Sequence, residues 1–316
     1  MPRARLFAVL AVLNLLWAPT NGILKSLQAA FGAAGLERGF ASPSALVLMR
    51  WSLFAAFLWA ALLFPPTRKV LRPRFPQGAD LVKAILIGLF CVSLCYLLYC
   101  YALTKTSSIE TVLLCTNYPV VMGVLAFLFL REHVSGRRWT SIAIGVVGTY
   151  AVGIGFRLPS LDSSHTVGNL IVTVALLLEC ASLTMATKLV LRSSGLGVLA
   201  FEATGSALGC VLYPLLFPKA LPLYAFAFSP AAMAGMAYLA LVAGVFAFGV
   251  WYVLVENAPV SLLMVSTLIQ PPAAAVFGVF FLHESVPTNV YYGSALVAAA
   301  LIVAGTERPA RAPGTA

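Results

Sequence analysis

Residues 108–132 read SIETVLLCTNYPVVMGVLAFLFLRE, an apolar run with Pro119 near its middle and Leu130-Arg131-Glu132 at its end. Residues 259–284 read PVSLLMVSTLIQPPAAAVFGVFFLHE, with Pro271 in the middle and Leu282-His283-Glu284 at the end. A shift of 152 positions superposes Pro119 on Pro271, Leu130 on Leu282, Glu132 on Glu284 and Val134 on Val286. One residue of slippage upstream pairs Tyr101-Ala102-Leu103 with Tyr252-Val253-Leu254. A period of about half the chain marks a duplicated module.

Working outward, 61% of the 316 residues are hydrophobic and 9% charged, with a mean hydropathy of +0.97. A soluble domain carries roughly a quarter charged and about half apolar residues, so the chain belongs in a lipid bilayer. The net charge of +10 would raise nucleic acid as a partner in a soluble protein. Here the basic residues fall in short loops without interleaved aromatics, and membrane topology accounts for them better. The six cysteines, at 91, 95, 100, 115, 180 and 210, lie inside apolar segments with no C-x-x-C pair and no neighbouring histidines. They read as small buried thiols, and no metal or other cofactor is expected. The opening run, 6–24, is longer than a signal-peptide core of about 7–15 residues and is expected to stay as the first span.

A spanning helix takes about 20 mostly apolar residues. Ten such stretches are predicted, at 6–24, 44–64, 81–103, 108–130, 139–156, 167–191, 198–217, 231–255, 259–282 and 288–306. The tail 307–316 is Pro/Ala-rich and expected to be disordered. With the N-terminus inside, fourteen Lys and Arg gather on the inner face, Arg138 among them, against Lys25, Arg38, Lys105, Arg157 and Lys219 outside. The positive-inside rule then puts both termini in the cytoplasm. Five helices per copy is an odd number, so the second copy enters inverted. The fold class predicted is an all-α membrane protein, ten transmembrane helices in two inverted five-helix repeats, a recurring build of secondary transporters.

Residues 17–25 (WAPTNGILK), 101–108 (YALTKTSS) and the two proline-centred helix ends resemble the EamA-type modules of the drug/metabolite transporter superfamily. The resemblance covers residues 1–157 as one module and 158–316 as the other. One departure is visible: the family usually has Gly before the Glu at both helix ends, where this chain has Arg131 and His283. The resemblance implies alternating access and small polar or amphipathic solutes, often exported amino acids, in the plasma (bacterial inner) membrane. It is compatible with protons as the coupling ion and with a monomer or homodimer.

Polar side chains at mid-membrane are costly and usually face a bundle interior or a water-filled cavity. Asn14, Trp17 and Asn21 share one helical face and read as a cavity wall or as inter-helix hydrogen-bonding glue. Glu179 stands among Leu176-Leu177-Leu178 and Cys180-Ala181. It is expected to couple protons or meet a substrate amine; the bland alternative is a neutral or Arg50-paired structural group. Arg50 reads first as a structural partner of Glu179, and second as a fork for a substrate carboxylate. Glu202, near the start of its helix, reads as an interfacial charge.

Near the middle of the fourth and ninth spans lie Asn117, Tyr118 and Gln270, beside prolines expected to kink both helices at the midplane. Tyr96, Tyr99, Trp251 and Tyr252 would supply aromatic walls. No enzyme is predicted: His283-Glu284 lacks the second histidine of H-E-x-x-H, and no nucleophile elbow, Walker loop or dinucleotide fingerprint occurs. Two other readings stay open. A sugar-phosphate or nucleotide-sugar exchanger should need more than one deep cation; a membrane scaffold or lipid-handling subunit should have a dry interior.

Overall fold

The computed structural model describes residues 3–33, 41–106, 111, 114–154, 166–216, 230–273 and 288–306. Every regular element among the described residues is helical. In chain order they are α1 Arg3–Trp17, α2 Thr20–Ala33, α3 Ala41–Leu63, α4 Pro65–Leu71, α5 Gly78–Leu86, α6 Ser93–Ala102, α7 Tyr118–Leu130, α8 Gly136–Ile154, α9 Thr166–Val190, α10 Gly195–Leu216, α11 Pro230–Ala237, α12 Ala247–Val255, α13 Val260–Val265 and α14 Thr288–Gly305. Two π-helical segments, Ile87–Val92 and Tyr238–Phe246, join α5 to α6 and α11 to α12, and a 3₁₀ turn, Ser266–Ile269, follows α13.

Six helices among the described residues are long and apolar enough to cross a membrane: Arg5–Gln28, Pro43–Leu63, Gly78–Ala102, Thr166–Val190, Gly195–Leu212 and Pro230–Val255. Shorter apolar helices are Tyr118–Leu130, Val260–Ala273 and Thr288–Ala304, and the stretch expected at 139–156 forms α8. Parts of the spans expected at 108–130 and 259–282 lie outside the described residues, as do Leu282-His283-Glu284 and the tail 307–316.

Proline placement explains three local departures. The first span breaks at Ala18-Pro19, because a helix-interior proline lacks the N–H donor and clashes with the preceding turn. Pro119 does not kink a continuous helix; it sits in the first turn of α7, where its missing N–H is no loss. In the second half the backbone tightens to 3₁₀ just before Pro271. Helix α7 closes on Arg131 in the left-handed region, φ 54°, and the Glu132 N–H donates to Ala126 O at 3.0 Å. Arg131 stands at the helix-ending left-handed position where glycine is the residue of least strain.

The helices gather into two compact units. One comprises Met1–Leu15, Thr116–Pro159 and Pro259–Ala316; the other comprises Leu16–Cys115 and Ser160–Ala258. Each draws segments from both halves of the sequence.

In the first unit Ile142, Val265, Leu268, Val297 and Ala304 form the core. Helices α8 and α14 approach closely through glycine: a Cβ on Gly148 would stand 2.8 Å from Leu296 Cβ and 2.9 Å from Gly293 O. Small residues that let backbones meet are the usual basis of helix association in lipid. The same unit buries Arg138, which is no loop charge. It pairs with Glu132 at 2.9 Å, and both also bond Ser261. A buried guanidinium is tolerated only with such partners.

In the second unit α10 lies on the first π segment through Gly205 and Gly209, a G-x-x-x-G spacing. A Cβ on Gly205 would collide with Ile85 O, and one on Gly88 with Glu202 O. The orphan N–H of Gly195 at the start of α10 is capped by Glu256 Oε1 at 2.5 Å.

Candidate functional site

A π turn widens the helix and loosens its hydrogen-bond ladder, and here side chains take up carbonyls within both turns. Ser206 Oγ donates to Gly88 O at 3.3 Å, and Trp17 Nε1 donates to Ala243 O at 2.9 Å. Beyond each π segment a helix carries the polar and aromatic side chains of the second unit inward. The α6 helix presents Tyr96 and Tyr99, and α12 presents Phe248, Trp251 and Tyr252.

Arg50 is 4% exposed, about two and a half turns from the nearer described end of α3. Its guanidinium carbon lies 4.7 Å from the centroid of the Tyr96 ring, within cation–π range. The Tyr96 hydroxyl donates a long bond of 3.4 Å to Glu179 Oε1 on α9. Tyr96 thereby links the two charged residues that the sequence placed as partners. The Arg50 Nη1 atom is buried and has no hydrogen-bond partner. Neighbouring Trp51 is 3% exposed, and its indole Nε1 is likewise unpartnered. The Trp51 ring packs on Tyr96 at 5.2 Å, on Phe54 at 5.1 Å and on Phe248 at 6.4 Å. Trp17 continues the aromatic wall, 5.3 Å from Phe248 and 5.5 Å from Trp251.

Asn21 accepts from the Tyr99 hydroxyl at 2.9 Å, and Cys115 Sγ stands 4.0 Å from that hydroxyl. Trp17, Asn21, Arg50, Tyr99, Glu179 and Trp251 thus all fall in the second unit. Asn14, expected on the same wall as Trp17 and Asn21, goes elsewhere. It is fully buried in the first unit, donates to Leu10 O at 2.7 Å and Ser266 Oγ at 2.9 Å, and accepts from Gln270 Nε2 at 2.9 Å. With its donors and acceptor engaged, Asn14 serves as packing glue. Asn117 takes the N-cap position of α7 and Tyr118 its first residue, also in the first unit.

Glu202 is a correction. It is not an interfacial charge: it is 3% exposed on α10 and accepts from the Tyr252 hydroxyl. The span expected from the sequence began at 198, whereas α10 begins at Gly195, which puts Glu202 about two turns inside the helix. Among the described residues no group of three or more His, Cys, Asp or Glu side chains is placed to hold a metal ion.

These polar groups, buried in helices of spanning length and composition, are what a solute carrier requires, and comparison with known proteins points the same way. Residues 12–154 match the family model described as the EamA-like transporter family. Over those residues the chain is similar to an EamA-like module. The resemblance drawn from the sequence holds over that stretch, which contains Trp17, Asn21, Arg50, Tyr96 and Tyr99. The chain is also 26% identical over 224 residues to the "Uncharacterized transporter YetK" of Bacillus subtilis (strain 168), a match covering 68% of this chain. The match spans 64% of that relative's length, less than two thirds. A solved protein crystal structure superposes with a TM-score of 0.70 over 94% of this chain and 96% of its own, at 18% identity. At that identity the likeness speaks for the fold alone.

Proposed function

We propose that this EamA-like protein is a secondary active transporter that exports small metabolites, such as amino acids, across the plasma membrane by alternating access. In this reading ten helices form two inverted five-helix repeats, residues 1–157 and 158–316, with both termini cytoplasmic. The repeat reading draws support from the π-helical segments: shifting Ile87–Val92 by 151 positions, the register that pairs Tyr101 with Tyr252, gives 238–243, inside Tyr238–Phe246. π-helix is well under 1% of residues in globular proteins, so two such segments in corresponding places favour duplication. The backbone also breaks in register before Pro119 and Pro271, where a midplane site between repeats is expected.

The observation that carries the transport reading is the Arg50–Tyr96–Glu179 chain, a buried cation and a half-buried carboxyl in apolar helices. Such groups persist in lipid chiefly where they meet a solute or an ion. Glu179, half-buried and met by the Tyr96 hydroxyl through a long bond, is the group proposed to exchange a proton. Arg50 is the one buried cation among the described residues of its unit, which weighs against a sugar-phosphate exchanger. The test is counterflow in proteoliposomes with labelled amino acids, nucleobases, sugar phosphates and aromatic cations. Exchange of one class supports the reading; silence across the panel from folded protein removes it.

A further inference from the structure

Resting on the transporter reading, we propose that Arg50 and Trp51 form a subsite for a carboxylate, so that the solute is a small monocarboxylate with an apolar body. Two donors next to each other in sequence, both at least nine-tenths buried, lack acceptors: Arg50 Nη1 and the Trp51 indole N–H. An unpaired buried donor costs about 1–3 kcal/mol and an unpaired buried charge more. A fold that leaves two of them beside one ring, Tyr96, holds them for an acceptor that arrives.

The chemistry of that acceptor follows from the charges around it. Aromatic walls by themselves suit cations, but here the Tyr96 face is taken by the guanidinium, which repels a second cation. An amide or sugar hydroxyl would satisfy a donor and leave the guanidinium charge uncompensated. A carboxylate does both, since its two oxygens match the planar N–H groups of arginine and accept from an indole as well. Beside that headgroup the rings of Trp51, Phe54, Phe248 and Trp17 pack on one another as a largely apolar wall, the Trp17 N–H being already bonded to Ala243 O. A second charged group on the solute is not required. If present, an ammonium would face Glu179 across Tyr96.

The experiment uses purified full-length protein in nanodiscs, with intrinsic tryptophan fluorescence and thermal unfolding as readouts of binding. The probes are straight-chain, branched and aromatic monocarboxylates, each matched with its primary amide and its amine. Saturable binding of at least one carboxylate is expected, with its amide and amine about tenfold weaker or worse. Arg50→Gln should weaken that binding by about tenfold or more, Arg50→Lys should keep part of it, and Trp51→Phe should weaken it about fivefold. Trp51→Phe keeps an aromatic ring and the charge pattern while removing the pyrrole part of the indole with its N–H, so it reports on the subsite where Arg50→Gln fails to fold. Equal binding of acid and amine, preference for the amine, no binding by any carboxylate, or indifference of both variants would each overturn the proposal. The two readings separate cleanly. Carboxylate binding without counterflow sinks the transporter and keeps the subsite; counterflow that ignores Arg50→Gln and Trp51→Phe sinks the subsite and keeps the transporter.

Discussion

At Arg131 an ordinary side chain occupies a left-handed backbone position, φ 54° and ψ 32°, where glycine would sit without strain. The sequence showed the substitution against the family pattern; the structure shows its consequence, a helix end that is strained by about 1 kcal/mol. Arg131→Gly should therefore raise stability by roughly that amount, read as a higher unfolding midpoint in detergent, while Arg131→Val should lower it. Glu202 offers the opposite case. Its partner hydroxyl on Tyr252 is among the few described groups bonded to it, so Tyr252→Phe should destabilise by about 1–3 kcal/mol through loss of a buried hydrogen bond. Glu202→Gln, which still accepts from Tyr252, should be milder; equal losses in the two variants would contradict this account. In the first unit Glu132→Ala takes a carboxylate partner from the buried Arg138 and should cost about 3 kcal/mol by the same thermal measurement.

Among the elements, the apolar runs were legible because a bilayer demands long stretches without charge, and that demand overrides local preference. Their interruptions were legible only in part. Prolines at 19, 119 and 271 announced a disturbance but not its kind, since one residue type ends a helix, starts one or follows a tightened turn according to its place. The π segments had no such signal, as IGLFCV and YLALVAGVF are ordinary helix-forming sequence. The contact that accompanies the first was readable and went unread: Gly205 and Gly209 mark the close face of α10. Gly205→Leu should force that helix off the first π segment, costing about 3 kcal/mol in thermal unfolding, whereas Gly136→Ala, with open space around it, should be nearly silent.

For the whole molecule, composition settled the class and the half-length period pointed to duplication. Sequence spacing could not say which polar residues share a unit, because the partners are brought together from far apart along the chain. Asn14 and Trp17 are three residues apart and belong to different units; Arg50 and Glu179 are far apart and meet through Tyr96. The functional prediction at this scale concerns coupling. Uptake driven by an imposed pH gradient should occur with native protein and be lost in Glu179→Gln, while gradient-free counterflow survives in the variant. Full retention of gradient-driven uptake by Glu179→Gln would remove Glu179 from the coupling step.

The paired π segments also carry a date. A π turn accommodates a surplus residue in a helix, and a surplus residue enters a gene as a rare event. Two independent insertions at matching places are far less probable than one event copied. On the duplication proposed here, the insertion is older than the doubling, so the ancestor was a single five-helix protein that already carried it. Deleting one residue from either segment, which turns everything beyond it by about 100°, would undo a choice made before the chain had two halves.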